Sequence, residues 1–197
     1  MFVLYLPDYQ PQAYQIASSL GLEAFVLANN DRKTLLAWAE KGELAILLDG
    51  QLSLQPLSKP LPNAVAVDWA NKSLLWRLQH GGGRSELIAK ACGIKKDFLP
   101  TIIDATAGFG KDSLLLASLG CSVTLLERSP LVAAMLADGW QRAQAEPYLQ
   151  TILARMTICH GDAKAHLLAL TVEQRPDVVY LDPMFPDRGN SAKVKKD

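Results

Sequence analysis

From residue 101 onward the chain alternates between two hydrophobic rhythms. Short apolar runs at residues 101–104, 122–126, 156–160 and 178–181 have the length of strands. Between them, residues 112–119, 130–144 and 164–170 carry apolar positions at helical spacing. Strands and helices in strict alternation predict βαβ units around a parallel sheet.

The first 60 residues predict a smaller α/β unit. Residues 2–6 read as a strand, 12–20 as a helix ending at Gly21, 24–27 as a short strand, and 33–41 as a helix closed by Gly42. The strand over 44–48 meets Asp49-Gly50, a two-residue turn signal that pairs it with 52–54 in a hairpin. Pro56, Pro60 and Pro62 then mark a linker. A strand over 64–68 and a helix over 74–78 follow, then the glycine hinge Gly81-Gly82-Gly83-Arg84. Ser85 is the expected cap of a helix over 86–92 that stops at Gly93. The expected division is a small subdomain at 1–62, connecting helices and hinge at 63–100, and a ligand-binding domain at 101–197.

Composition narrows the function classes. Hydrophobic residues make up 49% of the 197, enough for a substantial core. Lys and Arg balance Asp and Glu at twenty each, so any nucleic-acid contact must rest on local rather than global charge. Cys92, Cys121 and Cys159 are far apart, with no metal-ligand spacing, which fits reduced thiols in a cytoplasmic protein. His160 and His166 have no third ligand nearby in the sequence, so no metal is expected. No apolar run approaches the ~18 residues of a membrane span.

The turn Asp104-Ala105-Thr106-Ala107-Gly108-Phe109-Gly110-Lys111-Asp112 closes the first strand of the alternating region and opens its first helix. Ligands of open α/β sheets sit at such strand ends, where glycines let backbone N–H groups come close. A triphosphate loop needs Ser or Thr after Gly-Lys, but Asp112 stands there and would repel phosphate. A dinucleotide fingerprint needs a third glycine where Ser113 stands. A cationic sulfonium cofactor instead favours carboxylates, which Asp104 and Asp112 supply. Glu127 ends the next strand, 17 residues after Gly110, where an acid can accept both hydrogen bonds of a ribose diol. NAD would use the same acid, so Glu127 leaves both cofactors open. Asp162-Ala163 follows the third strand, where an adenine would lie; capping the helix that begins there is nearly as good a use of Asp162.

The fourth strand delivers Asp182-Pro183-Met184-Phe185-Pro186. The pattern resembles the (Asp/Asn)-Pro-Pro-(Phe/Tyr) loop of enzymes that methylate exocyclic amines, with Met184 in place of the middle proline. Such an amine is a poor nucleophile because its lone pair is delocalised into the ring. Hydrogen bonds to the Asp182 carboxylate and to a carbonyl aimed by Pro183 would favour its attacking geometry. Phe185 would stack on the base, a contact worth roughly 1–3 kcal/mol. None of the three cysteines lies where a carbon-methylating nucleophile would be needed.

Together with Leu126-Glu127-Arg128-Ser129-Pro130 and the basic run from Ser191 to Lys196, these motifs resemble the ribosomal RNA small subunit methyltransferase J family. The resemblance is close from about Arg77 onward and loose before it. It implies an S-adenosylmethionine-dependent enzyme of Rossmann-like class I methyltransferase fold, with a parallel sheet plus the small N-terminal α/β subdomain. The implied reaction is methylation of a guanosine N2 amine in 16S ribosomal RNA of the small subunit. The implied cofactor contacts are Lys111, Asp112, Glu127, Arg128, Asp162, Ala163 and Asp182, beside Asp104 and Gly108 from the turn. Asp182, Pro183 and Phe185 are the expected catalytic residues. Arg84 and the triple glycine would line the cofactor or RNA entrance. Only eleven residues follow Pro186, so the C-terminal strands of the class I sheet are missing, a longer natural protein is expected, and 187–197 are expected to be poorly ordered. Arg188, Lys193, Lys195 and Lys196 in that tail are candidate phosphate contacts. Two alternatives stay open: the same chemistry on another RNA, DNA or a protein amide, and a non-catalytic NAD-binding module.

Overall fold

A computed structural model describes residues 1–182. Its C-terminal half is a four-stranded, all-parallel sheet in the order β8-β7-β6-β9. The strands are β6 (Thr101–Asp104), β7 (Ser122–Glu127), β8 (Met156–His160) and β9 (Val178–Tyr180). The chain runs outward from β6 through β7 to β8, then returns to the other side of β6 as β9. The strand order therefore reverses between β6 and β9, and the carboxyl ends flanking that point form the crevice where open α/β sheets bind ligands.

Four helices connect these strands: α5 (Lys111–Ser118), α6 (Pro130–Ala143), α7 (Pro147–Leu153) and α8 (Ala163–Ala169). α5 is buried through Ser113–Ala117, and Leu114, Leu116, Leu125 and Leu136 join one core against the sheet. Ser129 caps α6 and Asp162 caps α8 through bonds to the third residue on, with proline already shaping the first turn of α6. α7 was not expected from the sequence. Glu146 caps it and Pro147 opens it only four residues after α6 ends.

The N-terminal sheet has the order β2-β1-β3-β4-β5. It comprises β1 (Phe2–Tyr5), β2 (Ala24–Val26), β3 (Leu44–Leu48), β4 (Leu52–Pro56) and β5 (Val65–Ala66). β1 pairs in parallel with β2 and β3, α1 (Gln10–Leu20) packs on β1, and the expected hairpin forms with Leu48 opposite Leu52. β5 adds to this sheet from beyond the three prolines.

Two local expectations fail. The helix expected over 33–41 is α2 (Arg32–Leu36): after Leu36 the amides of Trp38, Ala39 and Lys41 bond to carbonyls three residues back, so the chain tightens into turns. Ser85 is not a helix cap, because its hydroxyl donates to the Gly82 carbonyl at 2.6 Å. That bond closes a single tight turn, and Glu86 takes the cap position of α4 (Leu87–Ala91).

The two sheets share a seam. Asp138 of α6 accepts from the Leu52 backbone N–H at 3.0 Å and pairs with Arg142, which also donates to the Val67 carbonyl. Gly139 is needed there, since any side chain would overlap Val67.

Candidate functional site

The glycine turn is held by an acid that does not face outward. Asp104, 1% exposed at the end of β6, accepts from the Ser113 hydroxyl at 2.6 Å and from the Thr106 N–H at 3.1 Å. One carboxylate thus ties the strand, the turn and the first turn of α5 together. Burial pushes its pKa above the ordinary carboxylate value, and the two hydrogen bonds counter that in part. Both oxygens are engaged inside the protein, so Asp104 positions the turn rather than presenting a carboxylate to a ligand.

Gly108 and Gly110 both lie in the left-handed region, with φ of 52° and 66°. Gly110 also sits where a side chain cannot. An added Cβ would lie 2.7 Å from Trp69 Cζ2 and about 3 Å from Leu125 and Leu136. Trp69 is buried beneath the turn and donates its indole N–H to the Phe109 carbonyl at 2.9 Å. Sequence reading missed it because Trp69 is 41 residues away from Gly110 and lies outside any motif.

Glu127 is half-buried at the end of β7. Its two oxygens accept from the Gly108 N–H at 3.1 Å and the Ser129 N–H at 2.7 Å. These bonds aim the carboxylate across the mouth of the glycine turn. Each oxygen keeps a second lone pair, which leaves acceptor capacity for a diol. Arg128 beside it is exposed, as is Lys111 at the first position of α5.

Asp112, also on α5, accepts from the Tyr180 hydroxyl at 2.8 Å. Burial, then the hydrogen bond to Asp112 and the neighbouring carboxylates, push the Tyr180 phenol far above its ordinary range. It therefore stays protonated and donates to Asp112 at any physiological pH. Tyr180 is a second residue the sequence did not disclose, although its place opposite Asp104 in the β6–β9 register puts it in the crevice.

Asp182 follows β9 and is exposed. Its N–H donates to Thr106 Oγ1 at 2.8 Å, and the Ala105 N–H donates to the Tyr180 carbonyl at 3.0 Å. The start of the Asp-Pro loop is thus pinned to the glycine turn, and Asp104, Asp112, Glu127 and Asp182 are gathered at one end of the sheet. Asp162 and Ala163 lie at the end of β8, next to β7. Asp162 is exposed and spends one oxygen on the Ala165 N–H at 2.9 Å, the capping role that the sequence had allowed. Pro183 and Phe185, with the basic tail, lie outside the described residues.

Among the described residues, no group of three or more His, Cys, Asp or Glu side chains could hold a metal, and no helix is long and apolar enough to cross a membrane. The donor set fits a sulfonium nucleoside. Among the described residues it offers carboxylates to a cation and an acid on the strand next to the glycine turn, and the Gly108 N–H is spent on that acid rather than left for a phosphate.

Comparison with known proteins agrees. Residues 28–197 match the SAM_MT family, described as "Putative SAM-dependent methyltransferase". The chain is 43% identical over 195 residues to the ribosomal RNA small subunit methyltransferase J of Aeromonas hydrophila, covering 97% of this chain and 71% of that protein. It is 45% identical over 190 residues to the Edwardsiella ictaluri protein of the same name, covering 94% and 74%. Against the Aeromonas salmonicida protein of that name it is 50% identical over 148 residues, covering 75% and 59%. The chain therefore spans 59–74% of the length of these relatives. The crystal structure of a SAM-dependent methyltransferase from Neisseria gonorrhoeae superposes with a TM-score of 0.69 at 32% identity, over 93% of this chain and 70% of that one. The chain belongs to the ribosomal RNA small subunit methyltransferase J family of S-adenosylmethionine-dependent methyltransferases.

Proposed function

We propose that this chain methylates the exocyclic N2 amine of a guanosine in 16S ribosomal RNA of the small subunit, in the cytoplasm. The observation that supports the reading is the 2.8 Å hydrogen bond from the Asp182 N–H to Thr106, which ties Asp182 to the glycine turn. Relatives at 43–50% identity bear the corresponding name, and this supports the substrate.

When bound, S-adenosylmethionine supplies an electrophilic methyl group on a cationic sulfur. Glu127, aimed by two backbone N–H groups, holds the ribose diol, and Asp112, aimed by Tyr180, holds the cationic part of the cofactor. Asp162 and Ala163 border the adenine, with Lys111 and Arg128 at the rim. Gly108 lets the turn come close, and Asp104 keeps it in shape. Asp182 accepts the hydrogen bonds of the amine and orients its lone pair, while Pro183 stiffens the loop and Phe185 stacks on the base. No side chain would need to remove a proton before attack, since a methylated amine carries positive charge and can release its proton to water. The domain division at 62 and 100 belongs to the same reading, with the connecting segment serving as the floor of the turn through Trp69.

Tritiated methyl transfer to small subunits and to naked ribosomal RNA, followed by mapping of the modified base, tests the proposal. Asp182→Ala is expected to abolish transfer while keeping cofactor affinity within about tenfold, ~1.4 kcal/mol. Unchanged turnover in that variant sinks the role given to Asp182, and methyl transfer to DNA or protein but not to RNA sinks the substrate.

A further inference from the structure

The chain as a whole is neutral, but its charge is unevenly placed. Residues 72–96 hold six of the twenty Lys and Arg side chains and one of the twenty acids, a local charge of +5. The six, Lys72, Arg77, Arg84, Lys90, Lys95 and Lys96, are all exposed. Arg77 is paired with Glu86 at 2.7 Å, and the other five make no ion pair among the described residues.

An aromatic platform stands within this patch. Helix α3 (Lys72–His80) turns Leu74, Leu75 and Leu78 toward the core. Its opposite face presents Lys72, Trp76 and His80 at a spacing of four, which brings them into line. Trp76 is 62% exposed, unusual for a side chain so large and apolar. Its ring stacks on His80, with centroids 5.3 Å apart and planes 21° from parallel, and His80 Nδ1 lies 3.2 Å from the Trp76 carbonyl oxygen. One face of the indole is thus backed and oriented, while much of the side chain is left to solvent.

One end of the segment is anchored at the cofactor turn and the other on the helix that follows it. Trp69, three residues before α3, lies under Gly110. At the far end, α4 packs on α5, the helix that carries Asp112. The basic segment is therefore tied at one end to the glycine turn and at the other to the helix that carries Asp112.

We infer that this face is an RNA-docking surface. Trp76, backed by His80, stacks on an unpaired base near the target guanosine, and Lys72, Arg84 and Lys90 meet the phosphates on either side. A positive groove with an exposed aromatic is the combination that holds single-stranded nucleic acid, because every base offers a π face and every linkage a charge. An acidic protein would use the cations but gain little from an oriented indole. The inference rests on the proposed RNA substrate.

The test is fluorescence anisotropy of the full chain with a labelled single-stranded RNA of about a dozen nucleotides, at two salt concentrations. Trp76→Ala is expected to weaken binding about tenfold, Trp76→Phe by no more than about threefold, and neither should change S-adenosylmethionine affinity. Lys72→Gln and Arg84→Gln should each lower the salt slope by about one. Intrinsic fluorescence gives a second reading that does not depend on the alanine variant folding: RNA should quench the wild-type chain, and Trp76→Phe should lose most of that quench. Binding by Trp76→Ala within twofold of wild type overturns the inference, as does a quench that survives Trp76→Phe, or polyglutamate binding as tight as RNA. RNA binding that depends on Trp76 in a chain that methylates no ribosomal RNA would sink the proposed function and leave the docking surface standing. Methylation that proceeds equally well in Trp76→Ala would do the reverse.

Discussion

Replacing Gly110 with alanine separates two reasons for a glycine in this turn. Gly108 and Gly110 share a left-handed φ, and an L-residue there costs roughly 1–2 kcal/mol for backbone conformation alone. An added Cβ at Gly108 meets nothing nearer than the Thr106 carbonyl at 3.9 Å, so Gly108→Ala should cost only that amount. At Gly110 the same methyl would lie 2.7 Å from Trp69, 3.0 Å from Leu125 and 3.1 Å from Leu136, all of them buried. Overpacking of this kind adds roughly 1–3 kcal/mol, so Gly110→Ala should cost about 2–5 kcal/mol, a large share of a typical domain's 5–15 kcal/mol. Urea unfolding of both variants measures the difference. Trp69→Phe shrinks the obstructing ring, so the double variant Trp69→Phe/Gly110→Ala should be more stable than the sum of its parts by at least ~1 kcal/mol. Equal losses at the two glycines, or strict additivity with Trp69→Phe, would refute the steric argument.

Tyr180→Phe removes the one hydroxyl that donates to Asp112 among the described residues and should weaken S-adenosylmethionine binding about five- to thirtyfold, roughly 1–2 kcal/mol. Calorimetry showing unchanged affinity would mean that Asp112 needs no such support. Asp177 joins the starts of β6 and β9: its carboxylate accepts from the Thr101 N–H and hydroxyl, each at 2.8 Å. Those bonds lower its pKa from an ordinary 3.8, so the stability they add is present above about that pH and is lost as pH falls through the lowered value. Wild type should therefore exceed Asp177→Asn in urea midpoint at pH 7, with the gap closing on acidification below about pH 4; a gap that widens in acid would reverse the sign of the argument.

Much of this fold is legible because its signals are local. Period, glycine stops and proline starts mark α1, α5, α6 and the four parallel strands to within a residue or two. What escapes is set by tertiary contact or by competition between nearby groups. Ser85 has the chemistry of a cap, but the Gly82 carbonyl is closer to hand and takes its hydroxyl. α2 ends early because the bonds after Leu36 tighten, and no residue type announces that. In the site, the acids could be named from spacing, but their division of labour could not. Asp104 and Asp112 look equivalent along the chain, yet one is sealed beneath the turn and the other faces the crevice.

That division explains why the turn suits a cation. A cluster of carboxylates in one crevice repels itself unless each is held by donors. Here each of three acids has a protein donor: Ser113 and the Thr106 N–H for Asp104, Tyr180 for Asp112, and the N–H groups of Gly108 and Ser129 for Glu127. The backbone N–H of Gly108, which in a phosphate loop would point at the ligand, is spent on Glu127 instead. The glycines therefore gather carboxylates at the strand ends rather than forming an anion nest. The same bonds fix the carboxylates before any ligand arrives, so binding need not order them. Asp182 enters this arrangement through Thr106, a residue of the turn itself. A change that loosens the turn should then disturb amine positioning as well as cofactor affinity, and transfer should fall further than binding in any variant that weakens the Asp104–Ser113 bond.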